Sequence, residues 1–158
     1  MISQKAKYAF KALVLLARRG RGESLQTDEI AAQAAIPRKF LEQILLQLKA
    51  NGLVESRRGR AGGYHLVADP ATITVSQVLR IVDGPIAPLT CISRTAYSRC
   101  RDCPDETHCG VRRLFAETYA HTLARMEKTT LAAALVDDAS LEPLPSASAR
   151  PRELADAI

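Results

Sequence analysis

The chain has 158 residues, enough for one cored domain with an extension, and its 47% hydrophobic fraction is ordinary for a soluble protein. It has no apolar run long enough to cross a bilayer, and the opening residues, interrupted by Lys5 and Lys7, lack the apolar stretch of a secretion signal. A cytoplasmic protein with no membrane partner is expected. The net charge of +5 is unevenly placed: residues 1–66 carry twelve Lys or Arg against five Asp or Glu, and the remainder ten against twelve. Basic side chains gain affinity for nucleic acid by displacing counterions from phosphates, so the first half predicts a polyanionic partner.

Ser3 is placed to cap a first helix whose apolar face is Ala9, Phe10, Leu13, Val14, Leu16 and Ala17, ending near Gly20 or Gly22. Thr27 is the expected cap of a short second helix over 28–35, with Asp28 and Glu29 at its positive end. Pro37 restarts the chain at a first-turn position. A third helix to about Ala50 places Phe40, Leu41, Ile44, Leu45 and Leu48 on one face and Lys39, Glu42 and Gln43 on the other, with Leu46 pointing outward. Gly52 stands where a left-handed cap belongs. Two short strands, 53–55 and 64–67, then flank the basic loop Arg57-Arg58-Gly59-Arg60-Ala61-Gly62-Gly63.

Three helices and a hairpin in this order predict a winged helix-turn-helix over residues 1–68, with the third helix in a major groove of double-stranded DNA and the wing beside it. A carboxylate can accept from cytosine N4 and an amide can pair with adenine, which suits Glu42 and Gln43 to base edges; Arg38 and Lys39 can take phosphates or guanine. Residue 46 is leucine, so Glu42 has nothing basic at i+4, which favours a contact role over a surface ion pair.

A connector occupies 69–106. Thr74 and Gln77 form a capping box for a fourth helix, 75–82, ended by Gly84 and Pro85. The irregular stretch after it holds every cysteine of the chain: Cys91, Cys100, Cys103 and Cys109. In a reducing compartment such a group points to metal or redox chemistry rather than to a disulfide framework. Thiolates ligate both zinc and iron–sulfur clusters, so their number leaves zinc, a cluster and bare reactive thiols open. The Cys100-x-x-Cys103 spacing also occurs in dithiol redox enzymes and electron carriers, but the βαβ setting of those motifs is missing.

A long helix begins near Thr107 or Cys109 and shows Val111, Leu114, Phe115, Thr118, Tyr119, Thr122 and Met126 at helical spacing. With a short terminal helix it makes a segment over 107–136. Residues 137–158, rich in Ala, Pro and Ser and without aromatics, read as a disordered tail. The expected fold is mainly α with a small β-hairpin wing, a winged helix-turn-helix domain plus a long helix whose apolar stripe needs burial, within the chain or against a partner.

The stretch Tyr8-Ala9, Phe40-Leu41-Glu42-Gln43, Asn51-Gly52-Leu53-Val54, the run Arg57–Gly63 into Tyr64, and the cysteine loop before a long helix together resemble the Rrf-two (IscR-like) family of bacterial winged-helix regulators. The resemblance spans about residues 1–136. It implies a transcriptional regulator and not an enzyme: a homodimer on a pseudo-palindromic operator, sensing iron, redox or nitric-oxide status through the cysteine loop, commonly by an iron–sulfur cluster, [2Fe–2S] or [4Fe–4S]. It also implies DNA contacts from Glu42, Gln43, Arg57, Arg58, Arg60 and Tyr64, cluster ligation by Cys91, Cys100, Cys103 and Cys109, and makes the long helix a dimerisation helix, through Val111, Leu114, Phe115, Tyr119 and Met126. The chain departs from the cluster archetype in its additional Cys100, a longer first gap, and Arg112 where the archetype has histidine. Lys7 stands where nitric-oxide sensors of the family have an acidic ligand. Ligation wholly or mainly by cysteine is therefore expected, with His108 a further candidate and a thiol-based or zinc-containing regulator as the alternative.

Overall fold

Helix α1 (Gln4–Arg19) starts where Ser3 Oγ accepts from the Ala6 N–H at 2.9 Å, and it carries Ala6, Ala9, Ala12, Leu13 and Leu16 into the core. Three alanines in that stripe let neighbouring helices come close, and α1 packs on three later helices and the hairpin. The computed structural model describes residues 2–20, 22–59 and 62–136. Arg60 and the expected tail, 137–158, lie outside them.

Helix α2 (Thr27–Ala34) is capped one residue earlier than the sequence indicates. Gln26, not Thr27, is the N-cap, and the box closes when the Glu29 carboxylate accepts the Gln26 N–H at 2.7 Å. Ala35 then takes a left-handed φ of 50°, which stops α2 and turns the chain through buried Ile36 to Pro37, the N-cap of α3 (Arg38–Ala50). Leu41, Ile44, Leu45 and Leu48 are buried and Leu46 faces outward, as expected. Phe40 departs from expectation. It lies at the margin of the apolar stripe, half exposed, with its ring edge-on to Tyr8 at 6.3 Å.

Strands β1 (Val54–Arg57) and β2 (Gly63–Leu66) pair antiparallel from Val54↔Leu66 to Arg57↔Gly63, so the ladder runs further toward the tip than the predicted strand ends. A third contact, unseen in the sequence, braces the hairpin: Leu25 and Tyr64 exchange backbone hydrogen bonds of 2.9 and 2.8 Å. Gly63 makes this possible. Its φ is +142°, and a Cβ there would sit 2.2 Å from the Leu25 carbonyl oxygen.

The core of this basic half extends beyond the hairpin into the second half of the chain. Helix α4 (Val75–Asp83), capped by Thr74 Oγ1 accepting from Gln77 N–H, adds Val78, Leu79 and Val82; Ile73 and Leu131 join the same cluster. After a 3₁₀ turn, Thr90–Ile92, the cysteine segment leads into α5 (Gly110–Lys128) and a second 3₁₀ turn, Leu131–Ala134. Along α5 only Leu123 is fully buried, a position the predicted stripe omits. Met126 turns partly onto its own core rather than joining the exposed stripe.

Replacing Gly63 with Ala should cost about 1–3 kcal/mol, because backbone rather than a movable side chain blocks the new methyl. Denaturant unfolding measures this; an unchanged midpoint at unchanged slope would show that the Leu25 brace yields freely.

Candidate functional site

The first turns of α3 present Arg38, Lys39, Glu42 and Gln43 to solvent on one side of the basic half. Sequence reasoning missed their electrostatics. Arg38 Nε lies 3.0 Å from Glu42 Oε1, and its Nη1 lies 2.7 Å from Asp28 Oδ1 of α2. Glu42 therefore has a basic partner, at i−4 rather than i+4, and the inference from Leu46 fails because it looked in one direction only. The Arg38 guanidinium is held more basic than usual, first by its hydrogen bond to Glu42 and then by the Asp28 charge.

On the wing, Arg57 and Arg58 are exposed, and Arg57 donates to the Gly22 carbonyl at 3.2 Å. Lys49 at the end of α3 donates to Ser56 Oγ at 2.6 Å, which fixes the hairpin to the helix. Tyr64 is half-buried against the core, and its backbone is engaged by Leu25, so it supports the wing from beneath.

All four cysteines line one cavity of about 520 Å³ at the start of α5, together with Asp105, His108 and Arg112. They are arranged in pairs. The Cys100 thiol is pushed up, first by its hydrogen bond to buried Cys91. Cys103 is also raised, by desolvation and then by its hydrogen bond to Cys109. Cys109 goes the other way: it is the N-cap of α5, its Sγ accepts the Arg112 N–H at 3.5 Å, and this bond above all lowers its pKa. Among the described residues no three His, Cys, Asp or Glu side chains converge on a point that would hold a single metal ion.

The loop around the cavity is braced by contacts the sequence does not announce. Tyr97 donates to Glu106 at 2.7 Å, Arg112 Nη1 approaches the same carboxylate at 3.5 Å, and Arg99 donates to the Pro104 carbonyl at 2.9 Å. His108 is held by Asp105, whose carboxyl is lowered to about 2 by hydrogen bonds from Thr107 first and His108 second.

On α5 the expected stripe is wet. Val111 is 53% exposed, Leu114 75% and Phe115 44%, while Tyr119 is half-buried.

The model of the Rrf2 family, described as an iron-dependent transcriptional regulator, matches residues 2–138. The chain belongs to the Rrf2 family of transcriptional regulators. An Rrf2-like helix-turn-helix regulator of Rhodobacter capsulatus is 48% identical over 134 residues, which cover 83% of this chain and 89% of that protein. The regulator IscR of Vibrio atlanticus is 28% identical over 141 residues, covering 89% of this chain and 78% of IscR. Among solved structures, CymR, the global cysteine regulator of Bacillus subtilis, superposes with a TM-score of 0.70 at 28% identity, over 87% of this chain and 98% of CymR. These relatives are regulators rather than enzymes, and Rrf2 regulators bind DNA. No helix among the described residues is long and apolar enough to cross a membrane.

The thiol chemistry sets an order of reactivity. A lowered pKa enlarges the thiolate fraction near neutral pH, so in metal-free, reduced protein Cys109 should be alkylated by iodoacetamide before Cys100 and Cys103, with buried Cys91 last. Peptide mass mapping over a time course gives the order; Cys100 reacting first would mean that the α5 cap does not stabilise the thiolate.

Proposed function

We propose that this Rrf2-family regulator binds its operator as a homodimer and senses iron, redox or nitric-oxide status through an iron–sulfur cluster held by Cys91, Cys100, Cys103 and Cys109. One observation carries the reading: every thiol of the chain lines a single cavity, Cys91 interacting with Cys100 and Cys103 with Cys109. Four soft thiolates in pairs suit a polynuclear group, in which each pair can serve one iron, better than a lone tetrahedral ion. The cluster, when bound, would supply a redox- or iron-dependent occupant of this cavity; the chain contributes the thiolates, the Arg112 charge beside them and the α5 cap.

DNA is read by the first turns of α3, where Glu42 and Gln43 face base edges and Lys39 faces phosphate; the wing arginines Arg57, Arg58 and Arg60 follow the backbone or enter a minor groove. The exposed Val111, Leu114 and Phe115 meet their counterparts on a second copy, and a twofold pair of this kind matches a pseudo-palindromic operator. Tyr119 and Met126, both partly buried, flank that contact.

A second reading is a thiol-based regulator, in which Cys103 and Cys109 respond by oxidation without any cluster. The lowered Cys109 pKa beside Cys103 favours it.

Anaerobically purified protein should be brown, contain iron and acid-labile sulfide, and lose both when Cys91, Cys103 or Cys109 is changed to Ala. Colourless protein with stoichiometric zinc overturns the cluster and leaves the regulator intact. Colourless protein without metal selects the thiol reading.

The variant carrying Leu114→Asp and Phe115→Asp should sediment as a monomer and bind DNA poorly, because two charges would be buried unpaired in the helix contact. Wild-type protein that sediments as a monomer at micromolar concentration contradicts the homodimer.

A further inference from the structure

The Arg38 ion pairs run against the local rules for a helix. Arg38 is the first residue of α3, at the positive end of the helix dipole, and α3 has no acidic residue in its first turn to offset it. Its partner Glu42 lies on the C-terminal side, the less favourable order for an i,i+4 pair. All three side chains are well exposed, and exposed pairs add little to stability. Helix stability therefore does not account for the arrangement.

The arrangement does fit what a base-reading carboxylate requires. Glu42 has three rotatable bonds and, on a groove-facing helix, meets a wall of phosphates. It must be held in one conformation, and its charge must be shielded. Arg38 does both: Nε fixes Oε1 at 3.0 Å, and Oε2 has no hydrogen bond or ion pair among the described residues. Asp28, from α2, holds the far end of the same guanidinium at 2.7 Å, so the group spans both helices of the helix-turn-helix and its plane is set from two sides. We propose that Arg38, held by Asp28, is the positioning residue that sets Glu42 for base recognition, rather than a phosphate contact in its own right. The proposal rests on α3 being the helix that reads DNA.

The test uses the full chain and a randomised double-stranded DNA library. Selected duplexes and their single-base variants are then titrated across salt concentrations for wild type, Glu42→Ala, Arg38→Ala, Arg38→Lys, Asp28→Asn and the Arg38→Ala/Glu42→Ala double variant. Glu42→Ala should flatten preference at one base position. Arg38→Ala should flatten that same position, losing about tenfold discrimination, and should add nothing in the Glu42→Ala background. Arg38→Lys should restore only part of the preference, because an ammonium lacks the planar fork that spans two carboxylates. Asp28→Asn leaves Arg38 in place and should give a partial loss, which keeps the question answerable if Arg38→Ala fails to fold.

Two results overturn the positioning role alone: Glu42→Ala changes base preference while Arg38→Ala does not, or Arg38→Ala lowers the salt dependence by about one counterion unit and leaves preference untouched. If Glu42→Ala and Gln43→Ala both leave the selected sequence unchanged, the assignment of α3 as the reading helix fails, and this proposal fails with it.

Discussion

One sulfur atom has two roles here. Cys109 Sγ caps α5 by accepting the Arg112 N–H, and it also lines the cavity shared by every other thiol of the chain. The first turn of α5 contains no acidic residue, so Cys109 Sγ is the group set at the positive end of this nineteen-residue helix, and the bond from the Arg112 N–H favours its thiolate form. Whatever binds or oxidises that sulfur must act on the helix terminus. Ligation or oxidation changes the charge on that sulfur, and with it the strength of the bond from the Arg112 N–H.

Helix α5 is tied to the core at its other end. Glu127 near the end of α5 pairs with Arg80 of α4 at 3.0 Å and lies 3.9 Å from Arg94 in the cysteine segment. Backbone bonds from Val75 N–H to Thr129 and from Leu131 N–H to Ile73 sew the entry of α4 to the exit of α5. Helix α4 in turn packs on α1 and α3, and its last turn is tied to α1 by Ser3 and Lys5. Helix α3 is thus in direct contact with the element that α5 grips. In the proposed mechanism, occupancy of the cavity shifts α5, and α4 carries the shift to α3. A signal can change DNA affinity only by the difference in its binding to the two arrangements, and a coupling of this kind is typically about 5–150-fold.

The fold was largely legible because its signals are local and mutually consistent. Ser3, Thr74 and Gly52 each act at the helix ends their chemistry indicates, and the Leu41, Ile44, Leu45, Leu48 stripe is buried at its 3.6-residue spacing. The misses share another character. The Leu25 brace of the wing, the Asp28–Arg38–Glu42 chain of charges and the pairing of the thiols depend on residues brought together from different elements, and no periodicity records them. Phe40 failed at the stripe margin, where a helical wheel assigns a side but the neighbouring helix decides burial. At the candidate site the ligand types could be read from sequence, whereas the cap made by Cys109 required knowing where α5 begins.

In the proposed mechanism the state of the cysteine cavity sets DNA affinity through the α5 terminus. This is tested most directly by binding isotherms for one selected duplex, measured on the anaerobic protein and on the same preparation after chelation and reduction, with Cys109→Ala alongside. The two states of the wild type should differ by about tenfold or more in affinity, and Cys109→Ala should give a single isotherm under both conditions. Superimposable wild-type isotherms, from protein shown to change its cavity occupant, would mean that the cavity does not control DNA binding.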